Sequence, residues 1–491
     1  MHDACTRGIT IMKLSREDIV EGLQGVVGVE DVVTDEQVLK ESSIDLFRLY
    51  EDVSGVFCHP IPAAVVFARS TGHVASVLTF AHEHGINVVP CTGRTGGEGG
   101  LETAVADSIV LDGSHMNKIL CIDAYNMQAT CQCGVPLQVL EDRVREQGLT
   151  TGHSPQSKPV AHMGGLVATR SIGQFSTLYG GIEDMVVGLE AVFPGGEIAR
   201  IKNVPRRAAG PDIRHVVIGN EGALCFITEV TVKLFPYFPE NNVFLGWTLK
   251  DMKAGFEALR AVMVNGYKPS VARLYDPADS AYNFSHFAEP DDCVLLFMAE
   301  GAAGIAEATA EGIAEIVAKH PECTQVPSEY IETWFDDLNW GPEKMARERE
   351  EILQTGNIGF TTEISADWSS INDIYESALR RMTNEVPDIT MAGGHSSHSY
   401  INGTNMYFVY FYNVVGCGPE GEVSKYRTPI YRIICEETLK RGGSIVHHHG
   451  VGKARAPWIR DEYGSSYYIL ETLKKSFDPN GIMNKGTIIP M

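Results

Sequence analysis

The first regular hydrophobic pattern in the chain covers residues 63–97. An apolar run, AAVVFA, predicts a strand, and INVVP predicts a second strand further along. Between them lies a predicted helix that ends at Gly85, because apolar residues recur with helical spacing at Val74, Val77, Leu78 and Ala81. This βαβ arrangement leads into a glycine-rich loop, CTGRTGGEGG.

The elements after the glycine-rich loop separate it from a dinucleotide-binding turn. Such a turn has a different glycine spacing and opens a helix, whereas the next predicted element here is a strand, SIVLD, over residues 108–112. Alternating apolar and polar residues predict another strand from Met127 to Cys133. A helix with Pro136 in its first turn is expected to follow.

The second half of the chain has a different character. From about Tyr237, predicted strands alternate with long acidic helices, which indicates a second domain. The run GGHSSHSYINGTNMYFVYFYNVV is typical of a β-hairpin, and Asn402-Gly403 fits a type I′ turn between its arms. In the first arm, His398 and Tyr400 are expected to share one face.

The charge of the chain limits its partners. The 491 residues include 40 Lys and Arg against 63 Asp and Glu, a net charge of -23 at pH 7. This charge repels nucleic-acid backbones and anionic headgroups, so we expect no nucleic-acid or membrane partner. An anionic small molecule would need a local group of basic residues. Residues 1–11 lack the features of a secretory signal, which favours a cytoplasmic protein.

Eleven cysteines are scattered along the chain without a C-x-x-C pair. This distribution predicts reduced thiols rather than a disulfide framework or an iron–sulfur cluster. Cys131 and Cys133 share a face of a predicted strand, so burial in the core is favoured over redox or metal chemistry.

Candidates for acid–base chemistry are Tyr400 and three consecutive histidines, His447, His448 and His449. Neutral imidazoles exchange protons near neutral pH. In an extended segment His447 and His449 would share one face and His448 the other, so the run does not predict a three-ligand zinc site. No metal is predicted. A metal site and a structural strand of histidines are the alternatives, and Tyr400 could equally be a core residue.

Candidates for binding an anionic substrate are Arg273, His398, Lys453 and Arg455. Arginine can hold a carboxylate or phosphate through two parallel hydrogen bonds. A solvated surface is the alternative interpretation for Lys453 and Arg455.

Several ordered motifs resemble a known family. The glycine-rich loop, the run GHSPQSKPVAHMGGLVATR and the run GPDIRHVVIGNEGALCFITEVTVKLFP are similar to the FAD-binding domain of the vanillyl-alcohol-oxidase and p-cresol-methylhydroxylase superfamily. The pieces SHSY, HHHGVGKARAPW and DPNGIMNKG most resemble its alkyldihydroxyacetone-phosphate synthase branch. The resemblance covers the chain from about residue 60 onwards.

This resemblance implies an α+β fold. It combines a vanillyl-alcohol-oxidase-type FAD-binding domain of two α/β subdomains with a second α+β domain, the cap domain, that binds substrate. We expect a helical N-terminal segment over residues 1–59, packed on the FAD-binding domain of residues 60–236. The cap domain is expected over residues 237–440, and residues 441–491 are expected to return to the flavin site.

The implied cofactor is FAD, and the glycine-rich loop suits it because such loops present backbone N–H donors to a pyrophosphate. The loop has no histidine, and burial of Cys91 is favoured over a thioether link, so we expect non-covalent FAD. A histidine tether from the second domain is the alternative. The residues expected to contact FAD are Pro90, Cys91, Thr92, Gly93, Arg94, Thr95, Gly96, Gly97, Pro155, Gln156, Ser157, Gly164, Gly165, Ala168, Thr169, Glu221, Gly222 and Ile227.

The implied activity is that of an FAD-dependent oxidoreductase, an oxidase or dehydrogenase, acting on a small hydroxylated, anionic substrate such as a 2-hydroxyacid. Tyr400 or a histidine would take the hydroxyl proton, since the tyrosine of this motif is the essential acid or base in the synthase branch. The alternative is an alkyldihydroxyacetone-phosphate-synthase-like transferase that uses FAD without net redox change. A flavin-binding protein without catalysis is a third interpretation.

Three further expectations concern metal chemistry, the electron acceptor and the oligomeric state. The hairpin reads HSSHSYINGTNMYF instead of the H-x-G-D-G-N-x-H stretch of related hydroxyacid dehydrogenases, which puts metal-assisted chemistry in doubt. Electrons leaving by an iron–sulfur route would need a separate acceptor protein. A homodimer is compatible with the resemblance.

Overall fold

The computed structural model describes residues 14–339 and 341–491, and residues 1–13 lie outside the described residues. Its strands form three larger sheets and one short ribbon, and helices cover them. The predicted α+β class is therefore confirmed. The helices are α1 (Arg16–Val27), α2 (Glu36–Glu41), α3 (Leu49–Val53), α4 (Thr71–His84), α5 (Leu137–Arg145), α6 (Met163–Ala168), α7 (Ser176–Tyr179), α8 (Ile182–Met185), α9 (Arg214–Val217), α10 (Met252–Val264), α11 (Pro277–Asn283), α12 (Ala303–Val317), α13 (Ser328–Asp336), α14 (Pro342–Thr355), α15 (Ile371–Glu385), α16 (Pro419–Glu422), α17 (Thr428–Leu439), α18 (Ile459–Tyr463) and α19 (Tyr467–Phe477).

The first sheet has the order β1-β2-β4-β3, with β1 (Val32–Val33), β2 (Ala64–Phe67), β3 (Val88–Cys91) and β4 (Ile109–Asp112). Strands β2, β3 and β4 run parallel, because α4 carries the chain from β2 back to the start of β3. All four apolar positions predicted for this helix are buried, and Gly85 ends it with φ 65°. The predicted βαβ entry is confirmed.

The second sheet is antiparallel, in the order β5-β6-β10-β8-β9. Its strands are β5 (Ile119–Asp123), β6 (Gln128–Gln132), β8 (Val186–Val192), β9 (Ile198–Ile201) and β10 (Phe226–Lys233). Ala129 and Cys131 of β6 are buried while its end residues are partly exposed, as the alternation predicted. The placement of Pro136 was wrong: its ψ of 137° puts it just before α5, which begins at Leu137. A short ribbon pairs β7 (Leu149–Thr150) with β11 (Phe235–Pro236).

The third sheet lies within the range predicted for the cap domain and is antiparallel, in the order β15-β12-β14-β13-β17-β18-β16. One face packs against α10, α12, α15 and α17, and the other against Phe284 and Ile331 of the α11 and α13 region. Within β13, Ala272 and Leu274 face the first core while Val271 and Tyr275 face the second. The strands are β12 (Val243–Leu249), β13 (Val271–Tyr275), β14 (Cys293–Ala299), β15 (Thr324–Val326), β16 (Asn357–Asp367), β17 (Ile389–Ser396) and β18 (Gly403–Asn413).

The predicted hairpin is present as β17 and β18, but its predicted turn is wrong. Neither Asn402 nor Gly403 has the positive φ that a type I′ turn requires. Instead, the Tyr400 amide donates to the Gly403 carbonyl, and residues 397–402 form a longer connection. A Cβ at Gly403 would lie 2.2 Å from the Ala366 carbonyl oxygen, so this glycine permits close approach to the neighbouring strand β16.

Segments at both ends of the described chain pack against the first sheet. Helix α1 contacts α4, and β1 pairs with β2, so the N-terminal segment contributes a strand as well as helices. Near the C terminus, Met483 pairs with Val88 at the start of β3. The cysteines of the described residues are free thiols, with Cys91, Cys131 and Cys133 buried as expected. Across residues 14–339 and 341–491, no helix has the length and apolar character needed to cross a membrane.

Candidate functional site

The glycine-rich loop after β3 presents a row of free backbone donors. Within the described residues, the amide N–H groups of residues 92–98 donate no hydrogen bond to the protein. A side chain at Gly93 would lie 2.8 Å from the backbone nitrogen of His162, so the loop can pass there only as glycine. Arg94, with φ 57°, turns its guanidinium onto Asp112 at 2.9 Å. A run of unpaired N–H groups is the feature that a pyrophosphate requires.

Two further glycine segments close on this loop. Gly164 and Gly165 open α6, where added Cβ atoms would lie 2.6 Å from Cys133 Cβ and 3.1 Å from Thr92 Oγ1. Gly222, with φ +73°, packs on Pro90, where an added Cβ would be 2.7 Å from the proline ring. The structure therefore brings together three segments that the sequence motifs singled out separately.

The remaining predicted cofactor residues have varied positions. Residues 155–157 form the turn beside α6, and Thr169 donates to the Gly165 carbonyl. The Glu221 carboxylate accepts N–H donors from Val451 and Gly452 at 2.8 and 2.7 Å, and its backbone bonds Ala168 and Asn484, so its polar groups all have protein partners. Ile227 lies in the hydrophobic core of the second sheet, which does not support a contact with FAD. The others, Cys91, Thr95, Gly96, Gly97, Pro155, Gln156, Ser157 and Ala168, lie in or beside the same three segments.

Buried polar atoms without partners lie beside these segments. Both ring nitrogens of His153 and Nδ1 of His162 are buried and unbonded among the described residues. Burial lowers the pKa of His153 to about 4, so its ring is neutral. Unpaired donors and acceptors beside a glycine cradle fit a large polar cofactor such as FAD.

A group of aromatic and imidazole rings, which we call the tyrosine–histidine cluster, is formed by side chains of the cap domain and of the C-terminal segment. Tyr400 Oη is 2.7 Å from His447 Nε2, and Tyr407 Oη is 2.5 Å from His448 Nε2. The two histidines meet through their Nδ1 atoms at 2.8 Å, and the His398 ring stacks on His447. Ser176 of the FAD-binding domain reaches His398 Nδ1 at 2.8 Å, which joins the cluster to that domain.

The predicted extended conformation of the three histidines is wrong. The chain bends around Glu363 of β16, whose Oε1 accepts the backbone N–H groups of His447, His448 and His449 at 3.3, 2.8 and 2.8 Å. The rings therefore do not alternate between two faces. Glu363 is fully buried, and it orients the whole segment.

The side chains of Arg455 and Lys453 are hydrogen-bonded to other groups of the protein. Arg455 is 1% exposed, and its guanidinium bonds the carboxylates of Glu98 and Glu363 at 2.9 and 2.8 Å. The Lys453 ammonium bonds the Gly99 and Gly100 carbonyls, Asn484 and Thr487. This arrangement does not support their predicted role as substrate cations. Both instead attach the C-terminal segment to the glycine loop.

Arg273 retains an unpaired donor. Its side chain is 4% exposed on β13, Nη1 donates to Tyr275 Oη at 2.6 Å, and Nε has no partner among the described residues. Tyr275 stacks on His395, which stacks on Tyr407. Arg273 is thus connected through stacked rings to the tyrosine–histidine cluster.

Burial sets the protonation states of the cluster. It lowers the pKa of His398, His447 and His448, that of His447 to about 4, so these rings are neutral. Burial would also lower the pKa of His449, but the Glu363 and Glu98 carboxylates raise it above its ordinary value. Burial raises the pKa of Tyr400 and Tyr407, so both phenols are protonated.

Three of these imidazoles could hold a metal ion. Ring nitrogens of His398, His447 and His448 all lie within 4.8 Å of one another. This set differs from the consecutive histidines, because the bend around Glu363 and the β17–β18 connection bring His398 in. His398 is distant in the sequence from the three consecutive histidines, so their spacing did not predict this grouping.

Sequence reasoning also missed Tyr407, Glu363, Glu98 and His395. Tyr407 is one of several aromatic residues in β18, and nothing local distinguishes it from a core residue. Glu363 carried a usable signal, since an acidic residue inside the β-branched run TTEIS is rarely buried without a partner.

The fold and site define a class of flavin-dependent enzymes with a separate cap domain. Residues 62–202 match the family described as FAD binding domain, and residues 238–488 match FAD linked oxidases, C-terminal domain. The chain is 64% identical over 483 residues to an uncharacterized FAD-linked oxidoreductase, YgcU, of Escherichia coli K12, covering 98% of this chain and 100% of that protein. The chain belongs to the FAD-linked oxidase family, and it is an FAD-binding enzyme.

Two more distant relatives are named as different kinds of enzyme, a synthase and a dehydrogenase. The alkyldihydroxyacetonephosphate synthase of Caenorhabditis elegans is 29% identical, covering 87% of this chain and 76% of that protein. The mitochondrial D-lactate dehydrogenase (cytochrome) of Arabidopsis thaliana is 25% identical, covering 88% and 74%.

Solved structures share the fold. An alkyldihydroxyacetonephosphate synthase has a TM-score of 0.74 at 21% identity, covering 96% of this chain and 85% of that one. A p-cresol methylhydroxylase has a TM-score of 0.72 at 17% identity, covering 96% and 97%. The expected superfamily is confirmed.

Proposed function

We propose that this enzyme oxidises a small hydroxylated, anionic substrate such as a 2-hydroxyacid. The observation that carries the proposal is the pair of tyrosine–histidine contacts, Tyr400 with His447 and Tyr407 with His448. They lie where the cap domain and the C-terminal segment meet the FAD-binding domain. Oxidation of an alcohol needs a group that removes the hydroxyl proton, and a phenol paired with a neutral imidazole provides one.

Bound FAD supplies the acceptor for the hydride that leaves the carbon atom. The chain's own task is then to move the hydroxyl proton. The hydrogen bond between the two Nδ1 atoms leaves one of the two neutral rings with a free Nε2 acceptor, while the other ring carries its proton on Nε2. In the pair whose Nε2 is free, the protonated phenol can take the substrate proton while passing its own to the ring nitrogen. This arrangement avoids forming a buried phenolate, which burial disfavours.

Arg273 is the group best placed to hold the anionic end of the substrate. Its Nε is an unpaired donor on the face of β13 that also carries Tyr275. A carboxylate bonded there would neutralise a buried cation and provide a charge-assisted hydrogen bond. His398, buried and neutral between Ser176 and His447, would contribute orientation rather than charge.

Non-covalent FAD belongs to the same proposal. Burial raises the pKa of the Cys91 thiol, so it is not the thiolate that a thioether link would need. We infer that electrons leave to a separate acceptor.

A second candidate is the synthase-type transfer without net redox change. The C. elegans relative and the missing H-x-G-D-G-N-x-H stretch support it. The Arabidopsis relative, named a dehydrogenase, supports the redox proposal.

Steady-state turnover separates the two candidates. The yellow holoprotein is mixed with 2-hydroxyacids and an artificial dye acceptor, and the 2-oxoacid product is identified by mass spectrometry. In a parallel reaction it receives an acyl-dihydroxyacetone phosphate and a long-chain alcohol. Formation of a 2-oxoacid with reduction of the dye is the expected result. Ether-lipid formation with no oxoacid would replace the proposal by the transferase.

A further inference from the structure

A cavity of about 150 Å³ lies between the FAD-binding and cap domains, outside the tyrosine–histidine cluster. We call it the interdomain cavity. One side is formed by Arg145, Ser154, Lys158 and Gln174, and the other by residues such as Met298, Glu300 and Phe335 of the cap domain. Its volume is sufficient for a group the size of acetate or phosphate, and its walls combine charged and aromatic groups.

Lys158 is the unusual member of this lining. The residue is 6% exposed, yet among the described residues its ammonium group has neither an ion pair nor a hydrogen bond. Lysine is rarely buried without a partner, since its charge loses hydration without compensation. Burial lowers the pKa of Lys158, because the ammonium group loses hydration and has no partner in the protein.

The nearby acidic group of α5 does not provide the missing partner. Glu141 is buried, and its two oxygens already accept bonds from Arg145, Thr150 and Thr151 at 2.6–2.9 Å. Arg145 pairs with Glu141 and stacks over the Tyr237 ring, so its charge is also balanced. Lys158 therefore has the uncompensated positive charge on the FAD-domain side of the cavity.

Gln174 provides a second, independent observation. It is 3% exposed, and neither its amide oxygen nor its amide nitrogen has a partner among the described residues. Buried amides in native proteins are almost always hydrogen-bonded. An unbonded amide and an unpaired ammonium in the lining of one cavity indicate that a polar ligand completes the site.

On the cap side, Glu300 also lines the cavity. Tyr179 donates a hydrogen bond to it, and burial raises the pKa of its carboxyl, which weakens its competition for Lys158. No ion pair joins Glu300 to Lys158 within the described residues.

We propose that the interdomain cavity binds an oxyanion, the carboxylate or phosphate group of a small molecule, through Lys158 and Gln174. The ammonium pairs with the anion, and the Gln174 amide donates a hydrogen bond to it. Gln174 lies close in the chain to Ser176, whose hydroxyl bonds His398 Nδ1, so the anion site lies near the tyrosine–histidine cluster. The binding itself does not depend on the reaction proposed above.

The test uses the FAD-loaded protein and inorganic phosphate or acetate as the probe. Binding is measured by isothermal titration calorimetry at constant ionic strength, with thermal unfolding as a second readout. Lys158→Met keeps the length of the side chain and removes the charge, and Gln174→Leu removes only the amide. Lys118→Met is the control, because that lysine is exposed and lies just before β5 of the second sheet.

Saturable binding to the wild type and to Lys118→Met is expected, with affinity at least about tenfold weaker in Lys158→Met and several-fold weaker in Gln174→Leu. Without a probe, Lys158→Met should unfold at a higher temperature than the wild type, since an unpaired buried charge is gone. Equal affinity in the wild type and Lys158→Met, or no saturable binding of either anion, would overturn the proposal. Loss of FAD from Lys158→Met would overturn it too, since the anion would then be the cofactor's own.

The source of the anion is tested separately by flavin reduction. If phosphate competes with a reducing hydroxyacid, the site holds the substrate's own anionic group, and Lys158 takes the role proposed above for Arg273. If it binds without competition, the site takes a free anion. Both results support the oxyanion site, and failure of every hydroxyacid to reduce the flavin would affect only the proposed reaction.

Discussion

Glu363→Gln tests whether one buried carboxylate organises the histidine segment. Glutamine keeps the shape of the side chain and one oxygen for the three backbone N–H groups of residues 447–449, but it removes the charge. In the wild type, burial opposes ionisation, yet Arg455 and His449 hold the pKa of the Glu363 carboxyl well below its usual range. The substitution therefore takes away a full negative charge that Arg455 contacts at 2.8 Å.

The magnitude follows from what remains after the change. Arg455 keeps Glu98 as a partner, along with the carbonyls of residues 363 and 445. Removing one member of a buried ion pair lowers the free energy of unfolding by about 3–5 kcal/mol. Because Glu98 still pairs with Arg455, we expect Glu363→Gln to lower it by about 3 kcal/mol. The histidine rings should lose their fixed orientation, so turnover should fall together with stability.

The assay compares thermal unfolding midpoints and turnover of FAD-loaded proteins. Glu311→Gln is the matched control, since it makes the same change on an exposed position of α12. A double-mutant cycle with Arg455→Met adds a second readout, and the double variant should lose clearly less than the sum of the single losses. An unfolding midpoint and turnover equal to those of the control would refute the reasoning.

Three further predictions concern the cofactor, the phenols and pH. Acid precipitation should leave FAD in the supernatant, because Cys91 is a buried, protonated thiol; a yellow pellet would show a covalent link. Tyr400→Phe and Tyr407→Phe should each keep the flavin and lower turnover by about 10²-fold or more, since each removes a hydroxyl beside an imidazole; a fully active variant would remove that tyrosine from the proton path. Stability should fall as pH falls from about 6.5 to 4, because unfolded His153 takes up a proton in that range while the buried ring, with a pKa of about 4, does not. The neutral His153 ring contributes about 3 kcal/mol to this pH dependence, at 1.36 kcal/mol per pKa unit. In thermal unfolding across this pH range, His153→Phe should show a smaller loss of stability than the wild type. An equally steep loss in that variant would contradict the prediction.

Local pattern was sufficient for the elements that carry their own periodicity. The helix with Val74, Val77, Leu78 and Ala81 has all four side chains buried, because apolar residues that repeat every 3.6 positions form one face and that face packs on the sheet. The cofactor loop was identifiable from its run of glycines, although the contact that excludes a side chain at Gly93 comes from the backbone of His162 in another segment.

Long-range contacts decided what the pattern could not. Gly403 looked like a turn glycine, but a strand about 37 residues earlier in the chain requires it to have no side chain. His447, His448 and His449 looked extended, but the carboxylate that bends them is 84 residues earlier, in β16. Lys453 and Arg455 were predicted to bind an anionic substrate, because the carbonyl and carboxylate partners that they have instead come from distant segments.

The most direct test of the account is the flavin absorbance at about 450 nm, measured anaerobically while D-2-hydroxyacids and related alcohols are added one at a time to the purified holoprotein. The account predicts that at least one anionic hydroxylated compound bleaches the flavin within a turnover, and that Tyr400→Phe or Tyr407→Phe slows this bleaching. No bleaching by any hydroxylated compound, in a protein that forms an ether lipid from an acyl-dihydroxyacetone phosphate and a long-chain alcohol, would contradict the oxidoreductase and leave the FAD fold unchanged.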